Sequence, residues 1–497
     1  MARIVVIGAG LGAMAAAARL AIAGHRVVVH ERGATYGGAL GEYARDGFRF
    51  DTGPGLLTLP AVYRDLFVKT GRAELEDRVV LEQVDPAARH VFADGTEFAL
   101  PNASRGGVAQ ALDAALGAGT GARWTDFLGR AREAWDRTRR PLLEETQWPN
   151  WQILAAREPY PALPVRRLLR RERRATTLAE VGELELREPR LRALLESYAL
   201  AAGLDAERVP ASAAVLPFIE HTFGVWAVRG GLRALADAVH ARCVERRVEF
   251  VFGSEVTRIV EKDGRAAGAK LADGSVVEAE HVVAGVAPAV LARLLGGTAP
   301  WPADGVPPRT EGAARLLVLL ALRGERREGT VVRTVLHSPD AAAERAALAA
   351  RRLPDRPTVT VLRPDDPDRV PGAGHEAVTL TVTVPAGAEV PEGYVAELID
   401  RVGAAVVPEL RARLLWHETL TPAAAEEATG TPGGAVPAPA LAAGGGRWLH
   451  PANSTALPGL HAVGGWSHPG GGLPHAGMSG ALVAGLIVEG AGFTGST

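Results

Sequence analysis

The sequence predicts an α/β fold built on a parallel β-sheet, with a second domain of mixed helices and strands inserted into it. Three observations lead to this prediction. The first 31 residues read as strand, helix and strand, the chain returns to a helix and strands after Gly230, and residues 459–490 again read as strand, glycine loop and helix. A chain of 497 residues is too long for one compact core, so two or three domains are expected.

The opening segment is a strand–helix–strand unit. Residues 3–7 are an apolar run that ends at a glycine, residues 11–23 are rich in alanine, and Gly24 closes the helix as its C-terminal glycine. Residues 26–31 form the second strand, with three consecutive valines at its centre. Apolar strands of this kind are typical of parallel sheets that are buried on both faces.

A glycine motif joins the first strand to the helix and predicts a Rossmann-like, dinucleotide-binding domain. It reads Gly8-Ala9-Gly10-Leu11-Gly12-Ala13. Gly8 permits the tight turn, Gly10 lets the backbone approach a pyrophosphate, and Ala13 replaces the usual third glycine while still allowing close helix packing. The helix N-terminus offers free N–H groups to phosphates, and Glu31 ends the second strand where it would hold ribose hydroxyls. Nicotinamide enzymes share this motif, and a glycine turn without a ligand is the alternative.

A second glycine block follows the acidic residue. Arg32 precedes the pair Gly37-Gly38, which would let the backbone lie against the same pyrophosphate. The turn Asp51-Thr52-Gly53-Pro54 would then lie beneath the ring of a bound cofactor. An ordinary hairpin turn is the alternative for this turn.

A third block begins at Gly230-Gly231, which enters a helix predicted over residues 232–246. Val256 lies in the second strand predicted after this helix, residues 255–261. In two-part dinucleotide folds, a valine in this position binds adenine through its backbone. Its alternative is ordinary strand core.

The last block is a glycine loop between an apolar strand and a helix. It reads Gly464-Gly465-Trp466-Ser467-His468-Pro469-Gly470-Gly471-Gly472-Leu473-Pro474, and Pro474 opens the helix, where proline is favoured. The helix N-terminus would point at the ring of the cofactor, and its dipole and free N–H groups would stabilise negative charge there. A flexible linker is a poor alternative, because linkers rarely lie between an apolar strand and a proline-capped helix.

The middle of the chain differs in composition. Residues 85–228 are predicted to be helical and contain many arginines and prolines. Asp-Gly pairs at 263–264 and 273–274 predict hairpin turns. Helices are predicted at 340–352 and 391–416, and a loop is predicted at 426–446. The remaining predicted strands are 249–252, 255–261, 268–271, 276–279, 281–284, 316–322, 358–362 and 377–384.

This pattern predicts that two insertions interrupt the dinucleotide-binding domain. That domain would comprise residues 1–85, 229–300 and 435–497. The inserted α+β domain, residues 86–228 and 301–434, would bind the substrate.

Composition excludes several classes of function. The formal net charge is −2 and aromatic residues make up 5% of the chain, so we expect no nucleic-acid partner. The single cysteine, Cys243, excludes a disulfide framework and a cysteine-based metal site, and no metal is predicted. No run of about 18 apolar residues exists, and no signal peptide is expected. We therefore expect a cytoplasmic protein in a reducing compartment.

Together these blocks resemble the phytoene desaturase, or carotenoid desaturase, family of FAD-dependent oxidoreductases. The resemblance covers nearly the whole chain, and its most specific part is the string His468-Pro469-Gly470-Gly471-Gly472-Leu473-Pro474. It implies that FAD is the cofactor. With the motifs above, it implies these FAD contacts: Gly8, Gly10, Gly12, Ala13, Glu31, Arg32, Gly37, Gly38, Gly53, Pro54, Val256, Gly464, Gly465, Gly470, Gly471, Gly472 and Leu473.

The reaction that the resemblance implies is desaturation of a long apolar polyene such as phytoene. A hydride would pass to flavin N5, a proton would leave the neighbouring carbon, and oxygen or a quinone would take the electrons. Phe218, Phe223 and Trp226 would line an apolar tunnel, with ordinary core as the alternative for each. His468 is the predicted proton acceptor, because it lies in the glycine loop and histidine titrates near neutral pH. A structural loop histidine is its alternative.

Departures from the family pattern leave the substrate open. Ala13 and Gly55 stand where glycine and serine are usual, His450 stands where arginine often precedes the proline, and residues 433–437 lack the aromatic residue often found there. A flavin-dependent reductase, isomerase or cyclase acting on a polyene is one alternative. A non-catalytic protein that binds prenylated partners is another. A nicotinamide dehydrogenase is disfavoured, because the sequence has no second GxGxxG motif.

An arginine-rich stretch at residues 166–174 follows Trp148 and Trp151. Substrates of the resembling family are held in the bilayer. We therefore predict peripheral attachment to an anionic membrane, on the inner face of the cell membrane. A solvated helix face is the alternative.

Overall fold

The computed structural model describes residues 1–147, 149–166, 171–309 and 312–495. Its strands are β1 (Arg3–Ile7), β2 (Arg26–His30), β3 (Glu42–Arg45), β4 (Phe48–Asp51), β5 (Leu81–Gln83), β6 (Ala88–Val91), β7 (Glu97–Leu100), β8 (Leu163–Arg166), β9 (Arg171–Arg173), β10 (Trp226–Val228), β11 (Glu249–Val251), β12 (Val256–Lys262), β13 (Arg265–Leu271), β14 (Val276–Glu278), β15 (His281–Ala284), β16 (Ala313–Arg323), β17 (Arg333–Leu336), β18 (Val359–Leu362), β19 (His375–Pro385), β20 (Leu414–Leu420), β21 (Ala435–Val436) and β22 (Leu460–Ala462).

The α-helices occur singly or in groups between these strands. They are α1 (Leu11–Ile22), α2 (Ala61–Gly71), α3 (Arg105–Leu116), α4 (Thr120–Arg139), α5 (Gln152–Ala156), α6 (Leu178–Val181), α7 (Pro189–Ala201), α8 (Val215–Phe223), α9 (Leu232–Glu245), α10 (Pro288–Leu294), α11 (Ala341–Ala349), α12 (Glu392–Ala405), α13 (Leu410–Arg413), α14 (Pro422–Thr429) and α15 (Leu473–Val488).

A five-stranded parallel sheet forms the first part of the fold, in the order β11-β2-β1-β15-β22. Its central strand β1 pairs with β2 on one side and with β15 on the other, so Val5 lies opposite both Val28 and Val282. Parallel neighbours need crossover connections, and α1 supplies the one between β1 and β2. The α/β class and the Rossmann-like domain predicted from the sequence are therefore confirmed.

Both faces of this sheet are covered, as its apolar strands require. On one face α1, α9 and α15 pack around Val6, Val29 and Val283, which are fully buried. On the other face the antiparallel sheet β12-β13-β14 and helix α10 pack against Val5 and Val282. The result is a three-layer unit in which the carboxyl ends of β1 and β2 and the N-terminus of α1 meet at one edge.

A second, mostly antiparallel sheet lies apart from the first, in the order β20-β16-β19-β18-β17-β6-β7, with β21 added along β16. Alternate residues of its strands point to opposite faces. One face packs on α12 through leucines and valines such as Leu380 and Leu398. The other face carries Leu319 and Ala377, which pack on Phe48 and Phe50 of the β3–β4 hairpin. A helical layer containing α3, α4, α7 and α8 has its own core around Trp124 and Phe127.

Three predictions about local structure were wrong. The helix predicted over 391–416 ends at Ala405, because Pro408 interrupts it and residues 414–420 instead add β20 to the edge of β16. Residues 85–228 are not all helical, since β6 and β7 form a hairpin around Asp94-Gly95 and join the second sheet. The loop predicted at 426–446 contains the end of α14 and strand β21, which pairs with β16.

The predicted membrane-facing stretch is only partly described. Trp148 and residues 167–170 lie outside the described residues. Among the residues that are described, no helix is long and apolar enough to cross a bilayer.

Candidate functional site

The first glycine motif forms a loop with open space in front of it. Gly8 has a left-handed φ of 88°, and its N–H donates to the carbonyl of His30 at 2.8 Å. Gly10 precedes α1 without a side-chain cap, and a Cβ added there would meet no atom within 4 Å. The first turn of α1 therefore presents N–H groups that no side chain caps, toward a space that a ligand can fill.

Gly12 has a different role from Gly10. A Cβ at Gly12 would lie 2.8 Å from the carbonyl oxygen of Ala476 and 3.0 Å from the Cα of Gly464. The missing side chain therefore lets α1 approach α15 and the C-terminal glycine loop. Ala13 is 2% exposed, and its methyl group lies 3.2 Å from where a Cβ of Gly285 would be. Alanine fits at the third motif position because Gly285 leaves room for it.

Glu31 is fixed beside this loop at the end of β2. Its Oε2 accepts the N–H of Ala9 and its Oε1 accepts the N–H of Gly33, each at 2.8 Å. Arg32 points elsewhere, because its guanidinium donates to the carbonyl of Glu427 at the end of α14. The acid, and not the arginine that follows it, is therefore held at the glycine loop.

The glycine pair after Arg32 lies directly on the first motif. The N–H of Gly37 donates to the carbonyl of Ala9 at 2.9 Å. Gly38 has a φ of 59°, and a Cβ there would lie 3.1 Å from the Cα of Gly10. Two glycine segments thus form one surface with little side-chain bulk.

Gly230-Gly231 makes room for a carboxylate. A Cβ at Gly231 would lie 2.7 Å from Oδ1 of Asp51, which accepts the N–H of Arg233 in the first turn of α9. Arg369 pairs with the same carboxylate at 2.9 Å. Burial raises the pKa of Asp51, and the neighbouring guanidinium of Arg369 opposes this shift. The two glycines are therefore explained by the carboxylate of Asp51, which a side chain at Gly231 would displace. The sequence alone did not indicate this contact.

Val256 begins β12 opposite Leu271 and is 7% exposed. It follows Ser254, whose N–H donates to the carbonyl of Glu31 at 2.8 Å and whose hydroxyl meets Nδ1 of His30 at 2.8 Å. The predicted adenine contact is therefore placed close to the end of β2.

The C-terminal glycine loop ends at the uncapped N-terminus of α15. Gly472 is exposed and has a φ of 110°, and no side chain caps the helix that follows it. Asn453 anchors the loop from behind, since its Nδ2 donates to the carbonyl of His468 at 2.8 Å. The hydroxyl of Ser479 accepts the N–H of Gly464 at 2.9 Å. A Cβ at Gly464 would meet no atom within 4 Å, so this glycine also borders open space.

Other glycines of the loop are required by close backbone packing. A Cβ at Gly471 would lie 1.8 Å from the carbonyl oxygen of Pro437, and one at Gly465 would lie 2.6 Å from the ring of Pro437. A Cβ at Gly470 would lie 2.7 Å from the backbone nitrogen of Ala440. The segment 437–440, which the sequence pattern did not connect with the site, therefore holds the loop in place.

Three histidines surround this loop. Nε2 of His468 meets the carbonyl of Glu145 at 2.9 Å, and Nε2 of His450 meets the carbonyl of Ala438 at 2.8 Å. With these nitrogens protonated, Nδ1 of each ring carries the free lone pair, and in both cases it is buried without a partner among the described residues. Burial lowers the pKa of His468 to about 4 and that of His450 to about 3.

His475 is the third, and the sequence reasoning missed it. It lies in the first turn of α15, and its Nδ1 is 3.1 Å from where a Cβ of Gly472 would be. Burial and the proximity of His468 lower its pKa to about 4. Its position in the sequence could have indicated this placement, because His475 directly follows Pro474, the proline that opens the helix.

The remaining candidates lie in the helical layer, in β10 and in the turn after β4. Phe218 is 3% exposed within the core of the helical layer, whereas Phe223 is 37% exposed and packs on Trp135. Trp226 is half-buried, and its backbone exchanges two hydrogen bonds with Leu57. Gly53 leads into that segment, and a Cβ there would lie 2.0 Å from the carbonyl oxygen of Ala39, while Pro54 is exposed. Phe218 also packs on Trp135, and the indole N–H of Trp226 donates to the carbonyl of Phe223 at 3.2 Å, so the substrate role of these three residues stays a prediction.

Comparisons with known proteins agree with this geometry. The family model described as flavin containing amine oxidoreductase matches residues 14–488. This chain belongs to that family. The 4,4'-diapolycopene oxygenase of a Methylomonas species is 30% identical over 98% of both chains, and the hydroxyneurosporene desaturase of Rubrivivax gelatinosus is 30% identical over 97% of this chain and 92% of its own. An oxidoreductase from Methanosarcina mazei has the same fold, with a TM-score of 0.63 at 17% identity over 97% of this chain and 99% of its own.

The resemblance to carotenoid desaturases is thus confirmed, and the protein is an FAD-dependent oxidoreductase. The residues present fit this cofactor. Open space faces Gly10 and Gly464, two helix N-termini without side-chain caps suit a pyrophosphate and a ring that gains negative charge on reduction, and Glu31 is held where ribose hydroxyls are expected. Which residues contact FAD remains a prediction.

Proposed function

We propose that this enzyme desaturates a long apolar polyene of the carotenoid type. The observation that carries the proposal is the full-length similarity to two enzymes whose names describe polyene substrates, together with the glycine loop that ends at α15. A flavin-dependent reductase, isomerase or cyclase acting on a polyene would use the same cofactor site, and the experiment below distinguishes a reductase from a desaturase.

The chain's own residues would hold and shield the cofactor. Backbone groups at Gly10 and Gly38 would lie against the pyrophosphate, and the carboxylate of Glu31 would accept the ribose hydroxyls. When bound, FAD supplies the hydride acceptor. The uncapped N–H groups of α15 would stabilise negative charge at the ring, because they are already oriented before the reaction.

A buried imidazole would accept the proton. The carbonyl of Glu145 fixes the ring of His468, which leaves Nδ1 as the atom with a free lone pair. Since its pKa is about 4, this ring is neutral at physiological pH and able to accept a proton. It is a weak base, but a carbon next to a centre that has lost a hydride is a strong acid, so a weak base suffices. His475 lies nearer the exposed end of the loop and would pass the proton on toward solvent.

Anaerobic mixing of the FAD-loaded enzyme with a polyene tests the proposal. We expect loss of oxidised-flavin absorbance together with a longer-wavelength polyene spectrum, because each new double bond extends the conjugation. The final electron acceptor, oxygen or a quinone, is then identified by which of them restores the flavin spectrum. Flavin that stays oxidised in the absence of NAD(P)H but turns over when NAD(P)H is added would favour a reductase instead.

Peripheral membrane attachment is part of the proposal. Ile153 is 51% exposed on α5, which immediately follows Trp151. Together with the arginines nearby in the sequence, an apolar side chain there would insert at an anionic surface. Pelleting with vesicles of anionic phospholipid tests it, and the absence of salt-sensitive binding would rule it out.

A further inference from the structure

A cavity of about 340 Å³ lies between the turn after β4 and the second sheet. Gly53, Gly55 and Leu56 form one wall, and Leu362 and Thr379 belong to the opposite wall. A Cβ at Gly55 would lie 2.4 Å from Cδ1 of Leu362, so the two walls touch at this point. The turn after β4 is also proposed to lie beneath the flavin. A long substrate bound at the flavin would therefore pass close to this cavity, and one of its ends would enter it.

Five carboxylates and three guanidiniums line this cavity, and they form three ion pairs. Asp51 pairs with Arg369 at 2.9 Å, Arg326 pairs with Asp365 at 3.2 Å, and Arg229 pairs with Glu82 at 2.6 Å. The two other carboxylates accept backbone N–H groups, since Asp85 takes that of Asn102 at 2.9 Å and Asp366 takes that of Gly230 at 2.6 Å. The lining therefore holds two more carboxylates than guanidiniums, so it disfavours an anionic ligand.

Its polar walls nevertheless oppose a purely hydrocarbon occupant. A hydrocarbon would remove water from these ion pairs and hydroxyls without replacing its hydrogen bonds, which is unfavourable. The apolar residues between them, such as Phe50 and Leu362, equally suit carbon atoms. An apolar group that ends in an oxygen suits this lining, because its carbon atoms contact the apolar side chains and its oxygen forms hydrogen bonds with the polar groups.

One hydroxyl is placed to bind such an oxygen. Thr379, Thr381 and Thr383 lie on the same face of β19, because side chains alternate along a strand. The hydroxyl of Thr383 donates to the carbonyl of Leu200 at 3.0 Å. Thr379 is 8% exposed and lines the cavity, and its hydroxyl has no hydrogen-bond partner within the described part of the chain. It is a nearly buried polar group in the lining of this cavity.

We propose that this cavity binds an oxygen-bearing end of the polyene substrate, a hydroxyl or a carbonyl, through the hydroxyl of Thr379. The inference rests on the proposed function and narrows its substrate class from a hydrocarbon polyene to an oxygenated one.

The test compares two polyenes with the same carbon skeleton, one with a terminal hydroxyl and one without. Both kcat/KM for desaturation and the equilibrium affinity, read from quenching of protein fluorescence, are measured with the FAD-loaded enzyme. We expect the hydroxylated polyene to be preferred in both. Thr379→Val has nearly the same shape and should lower its kcat/KM and its affinity about tenfold while the hydrocarbon is unaffected. Thr379→Ser should retain the preference.

Thr383→Val is the matched control, because it removes a hydroxyl from the same face of β19 that is already bonded to Leu200. It should leave the preference between the two polyenes unchanged. Equal affinity and turnover of the two polyenes by the wild-type enzyme would overturn the inference while leaving polyene desaturation intact. A Thr379→Val variant that changes only the KM for a quinone acceptor would also overturn it, because the cavity would then bind the acceptor and not the polyene. Preferential binding of the hydroxylated polyene without desaturation would support the cavity assignment and overturn the proposed reaction.

Discussion

The carboxylate of Glu31 accepts the backbone N–H of Ala9 at 2.8 Å, which attaches the end of β2 to the glycine loop that follows β1. The second oxygen of the same carboxylate accepts the N–H of Gly33. The acid is therefore held in one orientation, and each oxygen keeps a lone pair that is able to accept a ribose hydroxyl. This arrangement fits ribose hydroxyls better than a freely rotating surface acid would.

Replacing Glu31 with Gln should weaken FAD binding about tenfold, because hydrogen bonds to a charged acceptor are stronger than those to a neutral amide. Titration of FAD into the apoprotein, followed by flavin fluorescence, measures this. Glu249→Gln is the control, since Glu249 is an exposed acid on the neighbouring strand β11. Unchanged affinity in Glu31→Gln would contradict the assignment of this carboxylate.

The approach of Gly38 to Gly10 gives a second prediction. Gly38→Ala would place a methyl group 3.1 Å from the Cα of Gly10, so the two glycine segments must separate and FAD binding should weaken. Gly24→Ala is the matched control, because Gly24 also has a left-handed φ, 88°, but has open space around it. Both variants should lose about 1 kcal/mol of unfolding free energy through backbone strain. Only Gly38→Ala should lose FAD, and equal FAD affinity in the two would contradict the account.

His468→Asn should retain FAD and lower kcat about 100-fold, as expected when a general base is removed. Because the pKa of His468 is lowered to about 4, the wild-type ring is already neutral between pH 6 and 8, and the loss should be the same across this range. Steady-state desaturation at pH 6, 7 and 8 measures it, with His417→Asn, an exposed histidine on β20, as the control. Full activity in His468→Asn would remove this residue from the mechanism.

Acid sensitivity should come from buried neutral histidines. His461 lies in β22, both of its ring nitrogens are buried without partners among the described residues, and burial lowers its pKa from 6.5 to about 4. The unfolded chain therefore binds a proton below pH 6.5 that the folded chain does not take up until about pH 4. Stability is complete above about pH 6.5 and falls with decreasing pH, by about 1.4 kcal/mol per pH unit for such a group.

His461→Leu should therefore reduce the loss of unfolding free energy between pH 7.5 and 5.5. The expected difference from the wild type is about 1 kcal/mol, because only the part of this interval below pH 6.5 contributes. Urea unfolding at the two pH values measures it, and His417→Leu serves as the exposed control. An identical pH dependence in His461→Leu and the wild type would show that this ring is not the source.

Much of the first sheet was predictable because its signals are local. The glycine motif, the valine strand and the alanine-rich helix all lie within residues 3–31, and β15 was predicted at its observed position, His281–Ala284. The second sheet was harder, since β6 and β7 are short strands and their hairpin joins the sheet only through β17, more than 200 residues away. The Asp94-Gly95 pair between them was an available hairpin signal in the sequence. The structure shows why glycine is favoured there, since Gly95 adopts a φ of 84°.

The candidate site divides in the same way. Gly10 and Gly38 could be identified from their motifs, because glycine is needed wherever backbone meets backbone or ligand. The packing of Gly471 on Pro437 and the bond between His468 and Glu145 depend on residues 34 and 323 positions apart, and no local pattern indicates either. Thr379 could not be identified from the sequence either, since threonine is common in strands and only the structure shows the cavity beside it.

The most direct test of the central claim is a pigment profile. The chain is expressed in a bacterium engineered to accumulate colourless phytoene or a hydroxylated derivative of an early polyene, and extracts are separated by chromatography with absorbance detection. The account predicts new polyenes that absorb at longer wavelengths, formed by the wild type and strongly reduced in His468→Asn. A yellow, FAD-loaded protein that leaves every supplied polyene unchanged would contradict polyene desaturation as its function.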